Sequence, residues 1–162
     1  MLQRLFIAID LPLSVRQALR ALNIEGYGVR AIGEENLHLT LHFLGTVETA
    51  SVVELLTRFE LTAKPFEMQI NGVGYFLGRA ANLILWAGVA PDAQLSLLHS
   101  EISACLSTAG FDIERRPYRP HVTLARGMRV AQSTIDQFVH DHNDFTATAP
   151  VNSISLYSSE ME

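Results

Sequence analysis

Two stretches of this chain carry the same polar pattern inside an apolar run: His38-Leu-Thr40 and His121-Val-Thr123. Strand side chains two positions apart point to the same face. Each stretch is therefore expected to set one imidazole and one hydroxyl side by side. Imidazole titrates near neutrality, so one histidine can accept a proton while the other donates one. In-line hydrolysis of a phosphodiester needs both, a base on the water side and an acid on the leaving-group side. Thr40 and Thr123 would donate hydrogen bonds to the nonbridging oxygens, stabilising transition-state charge without a metal. One His-x-Thr is a weak signal. Its recurrence, each time continuing with Leu after Thr, points to a paired site for a phosphate ester.

The remaining polar residues divide less cleanly. In an ideal strand His42 shares the face of His38 and Thr40, where a spectator at the groove edge is expected rather than a third contact. No Glu follows the first histidine as a zinc-binding helix requires, so His38 and His42 are not read as metal ligands. His99, His140 and His142 fall in or beside helical stretches and are expected at the surface. Five arginines, Arg115, Arg116, Arg119, Arg126 and Arg129, crowd around the second motif with no acid between the first and last. Strict alternation puts Arg126 opposite His121, although a strand ending at Gly127 can twist it back toward the phosphate.

Those residues need a scaffold, and the composition supplies one. At 162 residues, with 48% hydrophobic and 18% charged, the chain over 1–162 can bury a substantial interior as a single domain, or as two small lobes sharing one core. The net charge of −5 argues against wide, nonspecific gripping of nucleic acid. Leu5 to Ile9 is of strand length, too short for a membrane span, and lacks a cleavage site. A single cysteine, Cys105, excludes an intramolecular disulfide framework; a packed apolar role and a cytoplasmic location are expected.

The patterning predicts a strand over 4–10 and a helix from Pro12-Leu-Ser14 carrying Val15, Leu19 and Leu22. After Gly26, Gly28 and Gly33 comes the first motif strand, then a helix over 49–60 and strand-like alternation over 66–76. The order then repeats: a strand over 82–89, a helix from Pro91-Asp92 to about Thr108, the second motif strand, a helix over 131–140 and a last strand over 151–157. Strands alternating with helices invite a parallel, doubly wound sheet. However, the first turn, Asp10-Leu-Pro-Leu-Ser14, is no Gly-rich phosphate loop, and no nucleotide fingerprint appears.

Taken together, these residues resemble the two-histidine phosphoesterase superfamily, and within it the RNA 2′,3′-cyclic phosphodiesterases also labelled 2′-5′ RNA ligases. The resemblance runs through Arg4-Leu-Phe-Ile-Ala-Ile-Asp-Leu-Pro12, Glu35-Asn-Leu-His-Leu-Thr-Leu-His-Phe-Leu-Gly45, Arg119-Pro-His-Val-Thr-Leu-Ala-Arg126 and Ile154-Ser-Leu-Tyr-Ser-Ser-Glu-Met161. It implies an α+β fold with two pseudo-symmetric lobes, antiparallel sheets lining a central cleft and helices outside. It implies opening of an RNA terminal 2′,3′-cyclic phosphate to a 2′-phosphate, without metal or cofactor, with 2′-5′ ligation as the reverse reaction. His38 would protonate the departing 3′ oxygen and His121 would activate water, while Thr40, Thr123 and Arg126 hold the phosphate. Phe43, on the leucine face, is expected in the core rather than against the terminal base. The partners implied are RNA termini, tRNA fragments among them, or short nucleotides; no membrane is expected, and a monomer is. Family members continue past this last segment into another strand, so the expectation is either a sheet one edge strand short or a truncated chain. Two other readings stand beside this one: a noncatalytic nucleotide-binding module, and a phosphodiesterase for small 2′-5′ linked or cyclic nucleotides.

Overall fold

The computed structural model describes residues 1–159. Its strands are β1 (Leu2–Asp10), β2 (Arg30–Ala31), β3 (His38–Glu48), β4 (Phe66–Leu77), β5 (Asn82–Val89), β6 (His121–Met128), β7 (Thr146–Val151) and β8 (Ser155–Ser158). Its α-helices are α1 (Leu13–Arg20), α2 (Thr49–Arg58), α3 (Ala93–Thr108) and α4 (Gln132–His142). Every ladder is antiparallel, in the order β7-β4-β5-β6-β3-β1-β8, with β2 paired to β6. The doubly wound alternative is thereby ruled out. Two lobes, β1, β3 and β8 on one side and β4 to β7 on the other, join where Leu39 of β3 faces Val122 of β6.

Helix formation follows local spacing. Val15 and Leu19 put one buried stripe on α1, and Leu95, Leu98, Ile102 and Leu106 do the same for α3. Asp92 caps α3, accepting from the amides of Gln94 at 2.8 Å and Leu95 at 3.0 Å, a contact worth about 1 kcal/mol. Gly110 ends it at φ +90, where a side chain would be strained. The helices bury one face of the sheet, where Ile7, Leu39, Leu83, Leu85 and Val122 are nearly inaccessible. The other face is left for the site.

The predicted last strand over 151–157 is two strands. β7 ends by pairing with β4, and β8 pairs with β1 at the far edge, Leu156 facing Ile7. Laid flat, that seven-strand path would be about 29 Å wide at roughly 4.8 Å per gap. The segment from Val151 to Ser155 spans at most about 14 Å. The sheet must therefore curl, bringing its edges together around a cleft. Glu160 and Met161 of the closing motif, and the expected absence of a further edge strand, lie outside the described residues. No helix among the described residues is long and apolar enough to cross a membrane.

Candidate active site

Leu39 and Val122 face each other across the lobe junction and are both fully buried. In an antiparallel pair the flanking positions then place His38 beside Thr123 and Thr40 beside His121, all four on the opposite face. That face is the cleft, and all four residues are partly accessible there. The two motifs thus form a two-by-two patch, with the imidazoles on one diagonal and the hydroxyls on the other.

Beyond the patch, strict alternation fails at matching places in both strands. The register between β1 and β3 slips as Ile7 faces His42 and Ala8 faces Thr40, leaving Leu41 as the extra residue. Between β5 and β6 it slips as Leu85 faces Ala125 and Trp86 faces Thr123, leaving Leu124 extra. Each bulge reverses the side on which later residues point. His42 is consequently turned into the interior, at 4% exposure, and is no groove-edge spectator. Phe43, expected in the core, is 67% exposed and packs beside Phe6 on the cleft side, ring centroids 6.0 Å apart. The second bulge brings Arg126 onto the cleft face, in register with Ile84 and exposed.

The two imidazoles sit in unequal surroundings. His38 stacks on Phe6 at 5.0 Å and lies 5.9 Å from the Tyr157 ring. Asp10 faces it across the β1–β3 ladder. The Asp10 carboxylate accepts hydrogen bonds from Ser155 Oγ at 2.6 Å and from the Tyr157 hydroxyl. Burial pushes the His38 pKa down, while a hydrogen bond to the Asn36 backbone and the Asp10 charge oppose that shift. His121 instead faces Gly88 and touches Phe76 edge-on, with centroids 5.0 Å apart. Its Nδ1 lies 2.8 Å from the Arg119 carbonyl oxygen. A carbonyl only accepts, so Nδ1 carries the hydrogen and Nε2 of the neutral ring is left to take a proton. Trp86 completes this wing, 6.4 Å from His121. It lies so close over Gly74 that a Cβ there would come within 2.3 Å of the indole.

A sequence profile of the 2′-5′ RNA ligase superfamily matches residues 11–161. The chain belongs to that superfamily. A Thermotoga maritima relative named RNA 2′,3′-cyclic phosphodiesterase is 30% identical over 98% of this chain and 87% of its own length. One of the same name from Geobacillus stearothermophilus is 35% identical over 75% of this chain, a match spanning 41% of that relative. Among solved structures, Escherichia coli LigT complexed with 3′-AMP superposes with a TM-score of 0.79 at 27% identity, covering 100% of this chain and 91% of that one. Thermus thermophilus TT0787 gives 0.77, also at 27% identity, covering 98% and 90%.

Behind the patch, this superfamily member holds a polar stack that sequence reasoning missed. His42 Nε2 lies 3.0 Å from Ser103 Oγ and 3.3 Å from the His99 carbonyl oxygen. The His42 and His99 rings stack at 4.3 Å, and His99 stacks on Tyr118 at 3.8 Å. His99 is thus a packed residue rather than a surface one. Burial, then the neighbouring His42, pushes its pKa down to about 4. His142 likewise packs against Tyr27 and Phe138, whereas His140 is exposed as expected. Cys105 is buried in α3, and burial raises its thiol pKa.

Among the arginines around the second motif, Arg116 turns away to Glu114 at 2.9 Å. Asp10, Phe6, Tyr157 and Trp86 escaped the sequence reading because their strands are far apart in the chain; only the alternating Phe6-x-Ala8-x-Asp10 carried any signal. Among the described residues, no group of three or more His, Cys, Asp or Glu side chains is placed to hold a metal ion.

Proposed function

We propose that the cleft opens the 2′,3′-cyclic phosphate at the end of an RNA to a 2′-phosphate, with His38 and His121 as the two proton carriers. The observation that supports this most is the Leu39–Val122 rung, which turns two imidazoles and two hydroxyls toward one small space. Relatives along most of the chain bear the name of that activity. In the reaction, water attacks phosphorus, the bond from phosphorus to the 3′ oxygen breaks, and one proton moves at each end. His121 takes the proton from water at Nε2, the nitrogen its Arg119 contact leaves free. His38 gives a proton to the departing 3′ oxygen; burial lowers its pKa, and the facing Asp10 carboxylate opposes that shift. Gly88 opposite His121 offers no such carboxylate, which is why the acid is assigned to the His38 side.

Thr40 and Thr123 donate to the nonbridging oxygens and Arg126 adds positive charge, so the work falls to side chains alone and no metal enters the scheme. Phe6, Phe43 and Tyr157 give the terminal base an aromatic surface to stack on. The protein acts as one two-lobed domain, since each lobe supplies half of the patch. Joining through a 2′-5′ linkage uses the same groups in the same roles, with a 5′-hydroxyl in place of water: His121 takes its proton, the bond from phosphorus to the 3′ oxygen breaks, and His38 protonates that oxygen.

The test is incubation of the purified protein with a short RNA ending in a 2′,3′-cyclic phosphate, with chelator present and the product identified by phosphorus NMR. A 2′-phosphate formed at an unaltered rate in chelator is the expected result. A 3′-phosphate, or no turnover by folded protein, would overturn the reading.

A further inference from the structure

Arg30 stands directly opposite Arg126 in the β2–β6 pair. Like charges facing each other across an antiparallel rung destabilise it. No carboxylate among the described residues relieves them, where the ion pairs are Met1–Glu48, Arg20–Glu25, Arg58–Glu54 and Arg116–Glu114. Both arginines are exposed. The next rung fixes their side, since Ala31 faces Ala125, which is fully buried on the helix-covered face. Arg30 and Arg126 therefore share the cleft face with the two motifs.

Their position along the cleft is equally defined. On β5, Trp86 faces Thr123 and Ile84 faces Arg126, so the arginine rung is two strand residues, about 7 Å, beyond Thr123. β2 continues the edge of β6 that β3 occupies at Leu39, and the Ile32 amide holds it there by donating to the Leu124 carbonyl at 2.8 Å. The pair lies past the His38–Thr123 end of the patch, a short step from the reacting phosphate. Two guanidinium groups without a partner among the described residues match the planar, two-oxygen face of a phosphate.

The geometry points to a second anion subsite, Arg30 facing Arg126, that takes the phosphodiester on the 5′ side of the nucleotide whose cyclic phosphate is opened. This rests on the RNA-end reading of the site and adds the residue that separates an RNA end from a lone nucleotide. Arg126 lies between the two phosphates and serves the first as well. Arg30 reaches only the second.

The test compares native protein with Arg30→Ala and Arg30→Lys, each checked for folding by circular dichroism. One arm titrates a fluorescent pentanucleotide RNA ending in a 2′-phosphate over a potassium chloride series, by anisotropy. The other follows turnover of a nucleoside 2′,3′-cyclic phosphate, which carries a single phosphate. Arg30→Ala should weaken RNA binding about 10-fold, as for loss of one charged hydrogen bond, and flatten the log–log salt slope by about 0.7. Turnover of the single-phosphate substrate should be unchanged. Arg30→Lys should keep the salt slope while losing part of the affinity, since it retains the charge and not the fork. Unchanged RNA affinity in Arg30→Ala overturns the subsite. So does an equal loss on the single-phosphate substrate, which would put Arg30 at the reacting phosphate. Failure of native protein to open any cyclic phosphate would overturn the reaction alone, because the binding arm decides the subsite without turnover.

Discussion

The Tyr118 hydroxyl donates to the Thr40 carbonyl at 2.8 Å, pinning the segment that leads into the second motif to the backbone of the first. The same segment carries the Arg119 carbonyl that orients His121. One hydrogen bond therefore couples the placement of a hydroxyl from one lobe to an imidazole from the other. Tyr118→Phe keeps the ring stacked on His99 and removes only this bond. It should cost about 0.5–1.5 kcal/mol in urea unfolding and lower kcat more than it raises KM. A variant with native stability and kinetics would show that the contact positions nothing.

His38 and His121, the proposed proton carriers, should be separately indispensable. His38→Ala and His121→Ala are each expected to reduce kcat by roughly 10²–10⁴-fold, with native circular dichroism. Groups that act as a unit are not additive, so the double variant should be little worse than the poorer single one. Native turnover in either single variant removes that histidine from the mechanism.

Asp10 gives a way to tell acid from base by the direction of a shift. Its charge favours the protonated form of His38, so Asp10→Asn should lower the His38 pKa. A general acid works while protonated. Lowering its pKa therefore moves the alkaline limb of the kcat/KM profile to lower pH. If His38 were the base, the acidic limb would move down instead. A pH series on native protein and Asp10→Asn separates the two assignments.

The His42–His99–Tyr118 stack should make the fold sensitive to acid. His99 in the folded protein has a pKa near 4, against 6.5 for the free side chain, and burial lowers His42 as well. Between those values the unfolded chain binds protons that the folded chain does not. Stability is therefore full above about pH 6.5 and falls as the pH drops toward 4. Thermal melts from pH 7 to 4 should show Tm declining across this window, and His99→Gln should flatten the decline. A slope unchanged in that variant would assign the acid sensitivity to other groups.

Much of this was legible in the chain itself, because the relevant information is local. Period-two alternation marked the two motif strands and placed His38 with Thr40 and His121 with Thr123, and apolar spacing located the helices to within a few residues. The flanking motifs identified the superfamily, and with it the antiparallel lobes. Local pattern could not show where alternation stops. A bulge is a relation between a strand and its neighbour, so the inward turn of His42, the outward turn of Phe43 and the return of Arg126 to the cleft depended on register with β1 and β5. Pairing partners were equally hidden, since sheet neighbours are chosen by packing across long stretches of chain. That choice set Asp10 beside His38 and Gly88 beside His121, making two nearly identical motifs chemically unequal. It also set Arg30 against Arg126. The sequence by itself determined which imidazoles and hydroxyls share a strand face; the tertiary structure decided what each one faces.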